Sequence, residues 1–384
     1  MAHYDVGIVG AGVHGASAAF HMAKAGHRVV VYERAAPAGG PTGLSSAVCR
    51  AYYTNSFLAE VARDSLLAFS EFAALTDGEQ ADFRRTGALY VHPLDDVSVV
   101  DETVRALAAG GTRVEILTGQ ELVRLAPGLD LSDGSAVVWE PNAGYADPVA
   151  TTQGLLAAAR RSGAAVWSRT RVLSVSPGAR VKVLHESGQD VVERLLVAAG
   201  PWTAGIMSSI GVELPLTVER HIVAQCGLPA QVTLPFVFVD MLGGYYVKPE
   251  TGDQFLLGSL KPGPSADPDE PVAGVGDGEV AELAETFERR LSGVGNATLR
   301  GGWASLYDVS PDWQPVIGEV ADQVYVNAGS SGHGFKLALA MGAHVARLVL
   351  GENPDPSLAQ FHPDRFRCGG QPLVSRYGSA RILG

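Results

Sequence analysis

The sequence has few cysteines, a deficit of basic residues and no long apolar run, and each shortage excludes a class of protein. Its 384 residues include three cysteines, Cys49, Cys226 and Cys368, with no CxxC spacing, which argues against a disulfide framework or a zinc site. Lys and Arg total 29 against 41 Asp and Glu, a net charge of −12, and no basic cluster occurs. We therefore expect neither nucleic acid nor an anionic membrane surface as a partner.

No apolar run approaches the roughly 20 residues that a membrane-spanning helix needs. The first residues lead directly into a strand-like segment at Tyr4, without the pattern of a secretion signal. With so few cysteines, a reducing compartment is the better fit. The sequence therefore predicts a cytoplasmic protein with no membrane span and no metal site.

The residues that are abundant point to a large folded protein with tight turns. Apolar residues make up 46% of the chain, enough for a sizeable core. The length suggests two or three folding units at roughly 100–200 residues per domain. Glycine occurs 46 times, well above the usual frequency of about 7%. This excess predicts places where backbone approaches another group closely.

The first 33 residues have the pattern of a β-α-β unit. Tyr4–Val9 is predicted as a buried strand, Ala16–Ala25 as a helix and Arg28–Tyr32 as a second strand. Such a unit within about 30 residues is typical of the start of a doubly wound parallel sheet.

The turn between this strand and helix carries the glycine pattern of a dinucleotide-binding loop. Gly10 would make the turn, Gly12 would admit a pyrophosphate and Gly15 would let the helix lie close to the strand. The helix N-terminus favours phosphates there. Glu33, at the end of the second strand, is placed to accept hydrogen bonds from ribose hydroxyls. The motif alone does not distinguish NAD from FAD.

A second glycine-rich run, 328–336, precedes another apolar helix near the end of the chain. An NAD enzyme rarely needs a second such helix N-terminus. A reduced flavin does, because negative charge develops on its N1–C2=O2 edge and a helix N-terminus stabilises it. The pair of loops therefore favours FAD.

The patterns between these loops alternate in character along the chain. Leu214–Leu260 is rich in short strands and turns and predicts an antiparallel sheet, whereas Ala165–Val175 and Arg194–Ala198 are predicted as strands of the first domain. We therefore predict an FAD-binding domain made of residues 1–85, 142–212 and 300–384. Residues 86–141 and 213–299 would form an interleaved substrate domain.

Over nearly its whole length the chain resembles the glutathione-reductase-type flavoproteins of the D-amino-acid oxidase superfamily, especially the sarcosine oxidase and glycine oxidase branch. The resemblance rests on the Gly10–Glu33 unit, Gly43-Leu44-Ser45-Ser46, Gly144-Tyr145-Ala146-Asp147-Pro148, Ala198-Ala199-Gly200-Pro201-Trp202 and Ser331-Gly332-His333-Gly334-Phe335-Lys336. It implies an α/β fold in which a Rossmann-type FAD-binding domain is joined to an antiparallel-sheet substrate domain.

The resemblance also implies roles for particular residues. Arg50 and Lys336 match a pair that binds a substrate carboxylate, although Arg50 in a structural ion pair is the alternative. Tyr246 matches an active-site tyrosine, so Tyr245 should face the other way. His333 should lie near the flavin, in contact through its backbone. The implied FAD-binding residues are Gly10, Gly12, Val13, His14, Gly15, Glu33, Arg34, Ser45, Ser46, Val172, Ala199, Gly200, Trp202, Gly332, His333, Gly334, Phe335 and Lys336.

Two departures from the family concern how FAD is attached. The cysteine that holds the flavin covalently in sarcosine oxidase is replaced by Ser305, and no histidine occurs in the segment 45–47 that carries an attachment histidine in a related branch. We therefore expect non-covalent FAD.

Three further departures concern the substrate and the electron acceptor. A lysine linked to oxygen activation in the branch is Leu256 here, a nearby histidine is Leu260, and the first of two paired arginines is Ala47. Lys248 or Lys261 could replace the missing lysine, since both lie in the same β-rich region. The identity of the electron acceptor, oxygen or another compound, therefore stays open.

These observations predict an enzyme that oxidises the C–N bond of an amino acid or secondary amine to an imine by hydride transfer to FAD. Oxidation of a 2-hydroxy acid is an alternative, and it would need a histidine base near the carboxylate clamp, the pair Arg50 and Lys336. A flavin subunit of a larger electron-transfer complex is another. An aromatic-hydroxylase type of monooxygenase is disfavoured, because no second Gly-Asp motif precedes the last helix. The oligomeric state and the substrate's side group stay open.

Overall fold

The computed structural model describes residues 3–130, 133, 136–367 and 369–377. Cys368 and the last seven residues of the predicted FAD-binding range 300–384 lie outside this part of the chain. Of the helices in the described ranges, none has the length and apolar character needed to cross a membrane.

The strands and helices follow one another in a mixed α/β order. The strands are β1 His3–Val9, β2 Val29–Tyr32, β3 Val48–Cys49, β4 Arg84–Arg85, β5 Ala88–His92, β6 Glu115–Ile116, β7 Ala136–Glu140, β8 Gly144–Tyr145, β9 Ala165–Trp167, β10 Val172–Ser176, β11 Val181–His185, β12 Gly188–Val197, β13 Thr217–Gly227, β14 Val237–Asp240, β15 Tyr245–Glu250, β16 Gln254–Ser259, β17 Thr298–Val309, β18 Val316–Ala321 and β19 Val324–Ala328. The α-helices are α1 Val13–Lys24, α2 Ser56–Ser70, α3 Phe72–Leu75, α4 Val97–Ala109, α5 Gly119–Leu125, α6 Pro148–Arg161, α7 Thr203–Ser208, α8 Asp277–Arg290 and α9 Gly334–Leu350.

The first sheet is the predicted doubly wound one. Its parallel strands run in the order β19-β12-β1-β2-β9, and the antiparallel strands β10, β11 and β18 extend it. Val6, Ile8 and Val29–Val31 are fully buried, as strands covered on both faces require. Helix α9 packs on α1, where Gly342 leaves room for Ser17. The α/β fold with a Rossmann-type domain is confirmed.

The single strand predicted over Ala165–Val175 is wrong, because β9 and β10 lie at opposite edges of this sheet. The chain crosses between them through residues 168–171, where Arg169 adopts a left-handed conformation with φ of 53°. The crossing is fixed to the end of β2, since the Thr170 N–H donates to the Glu33 carbonyl at 2.7 Å. It brings Val172 to the same end of the sheet as Glu33.

The second large sheet has the strand order β17-β13-β16-β15-β14-β5-β7-β6. It is mixed rather than antiparallel, because β14 and β5 pair in parallel and come from segments far apart in the chain, so no hairpin joins them. Strand β17 pairs with β13 in this sheet, although most of it lies in the range 300–384 assigned to the FAD-binding domain. The division into two interleaved domains remains a proposal.

A small three-stranded sheet, β3-β8-β4, positions the segment that leads to Arg50. Its centre is Gly144, where an added Cβ would lie 1.9 Å from the Arg84 carbonyl oxygen. Only glycine allows β8 to lie this close to β4. The pairing of Val48 with Tyr145 then holds the chain just before Arg50.

Candidate cofactor and substrate site

A cleft of about 500 Å³ opens where β1 and β2 end and α1 begins. Ten of the predicted FAD-binding residues line it: Gly10, Gly12, Val13, His14, Glu33, Arg34, Val172, Ala199, Gly200 and Trp202. The other eight do not belong to its lining: Gly15, Ser45, Ser46, Gly332, His333, Gly334, Phe335 and Lys336. Of these eight, Ser46 and Gly332 lie against tyrosines of the mixed sheet, Tyr246 and Tyr307.

The three glycines of the first loop have different physical roles. Gly10 has φ of 102°, and a Cβ there would lie 2.5 Å from the Ala198 carbonyl oxygen. A Cβ on Gly15 would lie 2.0 Å from the Gly10 carbonyl oxygen, so this glycine permits the contact of helix and strand. At Gly12 the nearest atom to a Cβ is the Thr42 hydroxyl oxygen, at 3.1 Å, so glycine here mainly keeps the cleft open.

The Glu33 carboxylate is fixed at the edge of the cleft by two backbone donors. The N–H of Ala11 donates to one oxygen at 2.8 Å and the N–H of Ala35 donates to the other at 2.7 Å. A carboxylate has about four lone-pair sites, so it can also accept from ribose hydroxyls. At the rim, the Arg34 guanidinium lies 4.0 Å from the Trp202 ring.

The residues between the cleft and the mixed sheet include buried polar atoms. Within the described ranges, the Ser305 hydroxyl and both ring nitrogens of His333 have no hydrogen-bond partner. His333 precedes α9, whose N-terminus is not capped by a side chain. A Cβ on Gly332 would lie 2.6 Å from the Tyr307 ring. A glycine-lined dinucleotide cleft next to unpartnered polar atoms and a second helix N-terminus fits FAD.

Arg50 and Lys336 are both buried beside this helix N-terminus, near enough for their charges to interact. Their exposed fractions are 4% and 7%. Arg50 follows β3 and donates to the Tyr52 carbonyl oxygen at 2.5 Å, and Lys336 in the first turn of α9 donates to the Gly332 carbonyl oxygen at 3.2 Å. Burial, and then the charge of Arg50, lowers the pKa of Lys336 to about 7. Two cations removed from water favour binding of an anion.

Two aromatic rings complete the surroundings of this pair. The Tyr53 ring stacks on His333 with centroids 5.7 Å apart, and the Arg50 guanidinium lies 4.3 Å from the same ring. Burial raises the pKa of Tyr53 to about 12. Burial and then the charges of Lys336 and Arg50 hold the pKa of His333 well below its ordinary value. His333 is therefore a neutral imidazole beside two cations.

Tyr245 and Tyr246 face opposite sides of β15, which confirms the predicted alternation. Tyr245 packs in the core beneath α8, with its ring 5.7 Å from Phe287. Tyr246 lies on the other face and accepts a hydrogen bond from the Ser46 hydroxyl at 2.9 Å. Its ring covers Gly258 in the next strand, where a Cβ would lie 2.4 Å from it.

The sequence analysis missed Tyr53 and Tyr307. Tyr307 is half-buried, stacks on His221 with centroids 3.9 Å apart, and has a pKa raised by desolvation of its ring. Its side chain could have been expected on the face of Ser305, because alternate residues of a strand share a face. Tyr53 lies outside the helices and strands, so no periodicity indicates its direction.

The two lysines considered as replacements at Leu256 have different environments. Lys248 is 5% exposed and lies directly opposite Leu256 in the β15–β16 pairing, on the face of Tyr246. Its ammonium contacts Glu250 at 2.8 Å and lies 4.2 Å from the Tyr145 ring. Lys261 is an exposed residue that pairs with Glu282. Lys248 alone of the two lies on the buried face.

Three potential metal ligands, His3, Asp5 and Glu193, lie close together at the start of β1. They are partly exposed, and Asp5 accepts hydrogen bonds from the Arg28 side chain and backbone. We assign no metal site to them.

Comparison with known proteins gives matches along almost the whole chain. The DAO family model, described as FAD dependent oxidoreductase, matches residues 5–348. Monomeric sarcosine oxidase from Bacillus sp. (strain B-0618) is 26% identical over 379 residues, which cover 94% of this chain and 96% of that protein. N-methyl-L-tryptophan oxidase from Yersinia pestis (strain Pestoides F) is 27% identical over 380 residues, with 95% and 100% covered. The crystal structure of L-proline dehydrogenase from P. horikoshii superposes with a TM-score of 0.87 at 22% identity, covering 96% of this chain and 99% of that one.

Proposed function

The chain belongs to the DAO family of FAD dependent oxidoreductases, and from that premise we propose that it oxidises the C–N bond of a carboxylate-bearing amine to an imine. The substrate class is an amino acid or an N-methyl amino acid, as in the names of the similar oxidases. The observation that carries the proposal is the buried pair of Arg50 and Lys336 beside the N-terminus of α9.

Each residue of the pair contributes differently to carboxylate binding. The Arg50 guanidinium offers two parallel N–H donors, which match the two oxygens of a carboxylate. Lys336 adds a point charge, and its pKa of about 7 means that a bound anion favours its protonated form. Because both groups are buried, their attraction for the anion is stronger than it would be in water.

The FAD would be held in two places. The backbone around Gly10 and Gly12 would receive the pyrophosphate and Glu33 the ribose, while the N-terminus of α9 would face the flavin ring. When bound, FAD supplies the acceptor for the substrate's hydride. The fixed carboxylate holds the substrate's Cα–H in one orientation, and the amine must reach the site as the neutral base so that its lone pair can form the imine.

Anaerobic mixing of the FAD-loaded protein with a panel of D-, L- and N-methyl amino acids tests this function. We expect at least one to bleach the visible absorbance of the oxidised flavin and to yield the hydrolysis products of an imine. If no amine on the panel reduces the flavin, the proposal is wrong.

Oxidation of a 2-hydroxy acid is a second candidate, and the neutral imidazole of His333 is the observation that favours it. Hydride transfer from an alcohol carbon needs a base for the hydroxyl proton, and His333 lies beside both clamp cations. The same panel extended with lactate and mandelate separates the two functions, since only the hydroxy-acid enzyme would be reduced by these and not by the amines.

We propose that FAD is bound without a covalent bond, because the Ser305 hydroxyl is a poor nucleophile compared with a cysteine thiolate. Its oxygen has no partner among the described residues, so it is available to contact the cofactor. Acid precipitation should leave the yellow colour in the supernatant. Flavin that migrates with the denatured chain would contradict this.

We propose that molecular oxygen is a poor electron acceptor for this protein. A positive charge stabilises the anion formed when oxygen takes an electron, but Leu256 supplies none and the ammonium of Lys248 is paired with Glu250. Turnover should therefore be slow in air and faster with a quinone or a dye. Reoxidation in air at or above the turnover rate would make the protein an ordinary oxidase.

We also propose a cytoplasmic location. The support is chemical: Cys49 and Cys226 are buried free thiols rather than a disulfide pair. Fractionation of the source cells, with FAD absorbance as the marker, tests it.

A further inference from the structure

Glu140, the last residue of β7, carries a fully buried carboxylate that the proposed function has not used. One of its oxygens accepts from the Ala51 N–H and the other from the Tyr90 hydroxyl, both at 2.7 Å. The Tyr52 backbone N–H also faces this carboxylate and opposes the rise that burial causes in its pKa. The acid therefore binds the Ala51 N–H, the peptide group that directly follows Arg50, and lies close to the next one.

The segment that receives these bonds is not part of any regular secondary structure. Residues 50–53 belong to no helix or strand, so their N–H groups have no ladder to join. Arg50 closes the segment from the other side, since its guanidinium donates to the Tyr52 carbonyl oxygen at 2.5 Å. Arg50 and Glu140 therefore both form hydrogen bonds with the backbone of this one segment.

The two possible roles of Glu140 predict opposite effects on anion binding. A buried negative charge near Arg50 weakens the attraction of the site for a carboxylate, so by charge alone its removal should tighten anion binding. If the carboxylate instead fixes the direction of the guanidinium, its removal should loosen the bidentate geometry and weaken anion binding.

We propose that Glu140 is a positioning residue that acts through Arg50: it fixes the 50–53 segment so that the guanidinium faces the substrate carboxylate. This inference rests on the proposed function, since it takes Arg50 as a carboxylate ligand. It links β7 of the mixed sheet to the clamp, so the substrate's carboxylate is oriented by an acid that it does not touch.

The test measures the binding of acetate, and of acetamide as its neutral analogue, to the FAD-loaded protein by calorimetry. Glu140→Gln keeps the shape and one acceptor oxygen but removes the charge. We expect about tenfold weaker acetate binding with acetamide binding changed less than twofold. Glu250→Gln is the matched control, because it also removes a charge beside a buried cation on the same sheet face, and it should leave acetate binding unchanged or tighter.

The double variant Arg50→Ala/Glu140→Gln tests whether the effect passes through Arg50. It should bind acetate within twofold of Arg50→Ala alone, because residues that act as a unit are not additive. Acetate binding that is unchanged or tighter in Glu140→Gln, or a full tenfold loss that persists without Arg50, overturns the proposal. If instead Arg50→Ala alone binds acetate like the parent protein, the carboxylate clamp of the proposed function is what fails.

Tyr90→Phe decides the question if Glu140→Gln does not fold with bound FAD. This variant removes one donor from the same carboxylate and leaves its charge. Acetate binding two- to threefold weaker supports the positioning role, and unchanged binding contradicts it.

Discussion

The glycine-lined cleft at the end of β1 and the buried clamp beside the N-terminus of α9 are built in different ways. The part of the cleft at the ends of β1 and β2 uses backbone close together in sequence, with Gly10 and Gly12 on one turn and Glu33 at the end of the next strand, while Gly15 behind them lets α1 approach β1. The clamp joins Arg50 and Lys336, which come from opposite ends of the chain. A nucleotide site can be set by local geometry, whereas the clamp depends on the packing of the whole molecule.

The two regions also differ in their electrostatics. In the cleft the one acidic carboxylate at the β2 end, Glu33, is held by neutral backbone donors. In the clamp, burial lowers the pKa of Lys336 and that of His333. Substitutions in the cleft should therefore act on cofactor content, and substitutions in the clamp on ligand affinity and its pH dependence.

The largest expected effect follows from Gly15→Ala, which disrupts the packing of α1 on β1 beside the cleft. The added Cβ would lie 2.0 Å from the Gly10 carbonyl oxygen, so α1 must move away from β1. We expect a loss of about 1–3 kcal/mol in the free energy of unfolding and purification with little bound FAD. Gly205 in α7 does line the cleft, but a Cβ there meets no protein atom within 4 Å, so the unfolding free energy of Gly205→Ala should not fall. Equal behaviour of the two variants in urea denaturation would contradict this account.

The pH dependence of acetate binding sharpens the contrast at the clamp. The pKa of Lys336 is lowered to about 7, so the ammonium that attracts an anion is present below that pH and is lost above it. Above about pH 5.5 acetate is almost fully ionised, so its affinity should be constant up to about pH 6 and should fall above pH 7, by up to tenfold per unit. Lys336→Met should bind acetate weakly with no such change. Affinity that rises with pH in the parent protein would show that Lys336 does not titrate there.

The smallest effect separates the two faces of β15. Tyr246→Phe removes the acceptor of the Ser46 hydroxyl, and we expect a three- to tenfold slower flavin reduction with the unfolding free energy changed by about 1 kcal/mol or less. Tyr245→Phe lies on the α8 face and should leave flavin reduction unchanged. Stopped-flow reduction of both variants checks this, and a slower rate in Tyr245→Phe alone would reverse the assignment of the faces.

The success of sequence-based prediction also differs between local features and features that depend on long-range packing. The β-α-β unit, the glycine loop and the alternation of Tyr245 and Tyr246 are periodic or local features, and the structure has them as expected. The break at Arg169 was missed because one left-handed residue interrupts an otherwise strand-like run. The parallel pairing of β14 with β5 was missed because it joins distant segments.

Arg50, Lys336 and His333 were predicted only through the family resemblance, and their neighbours Tyr53 and Glu140 were not predicted. Tyr53 lies in the irregular segment 50–53, and Glu140 binds the backbone of that segment. No periodicity predicts the direction of side chains there. Such contacts depend on long-range packing, and only the folded structure brings them together.

The central claim is that Arg50 recognises the carboxylate of an amine whose C–N bond is oxidised. The most direct test is anaerobic stopped-flow reduction of the flavin by an N-methyl amino acid and by its primary amide, with the parent protein and with Arg50→Ala. Arg290→Ala is the control, since it removes another buried arginine, paired with Asp240, outside the clamp. Loss of the clamp should cost about 2–5 kcal/mol of binding for the acid. The acid should therefore reduce the flavin of the parent protein and of Arg290→Ala faster than the amide does, whereas both compounds should reduce the flavin of Arg50→Ala equally slowly. An equal rate for acid and amide in the parent protein would contradict the claim.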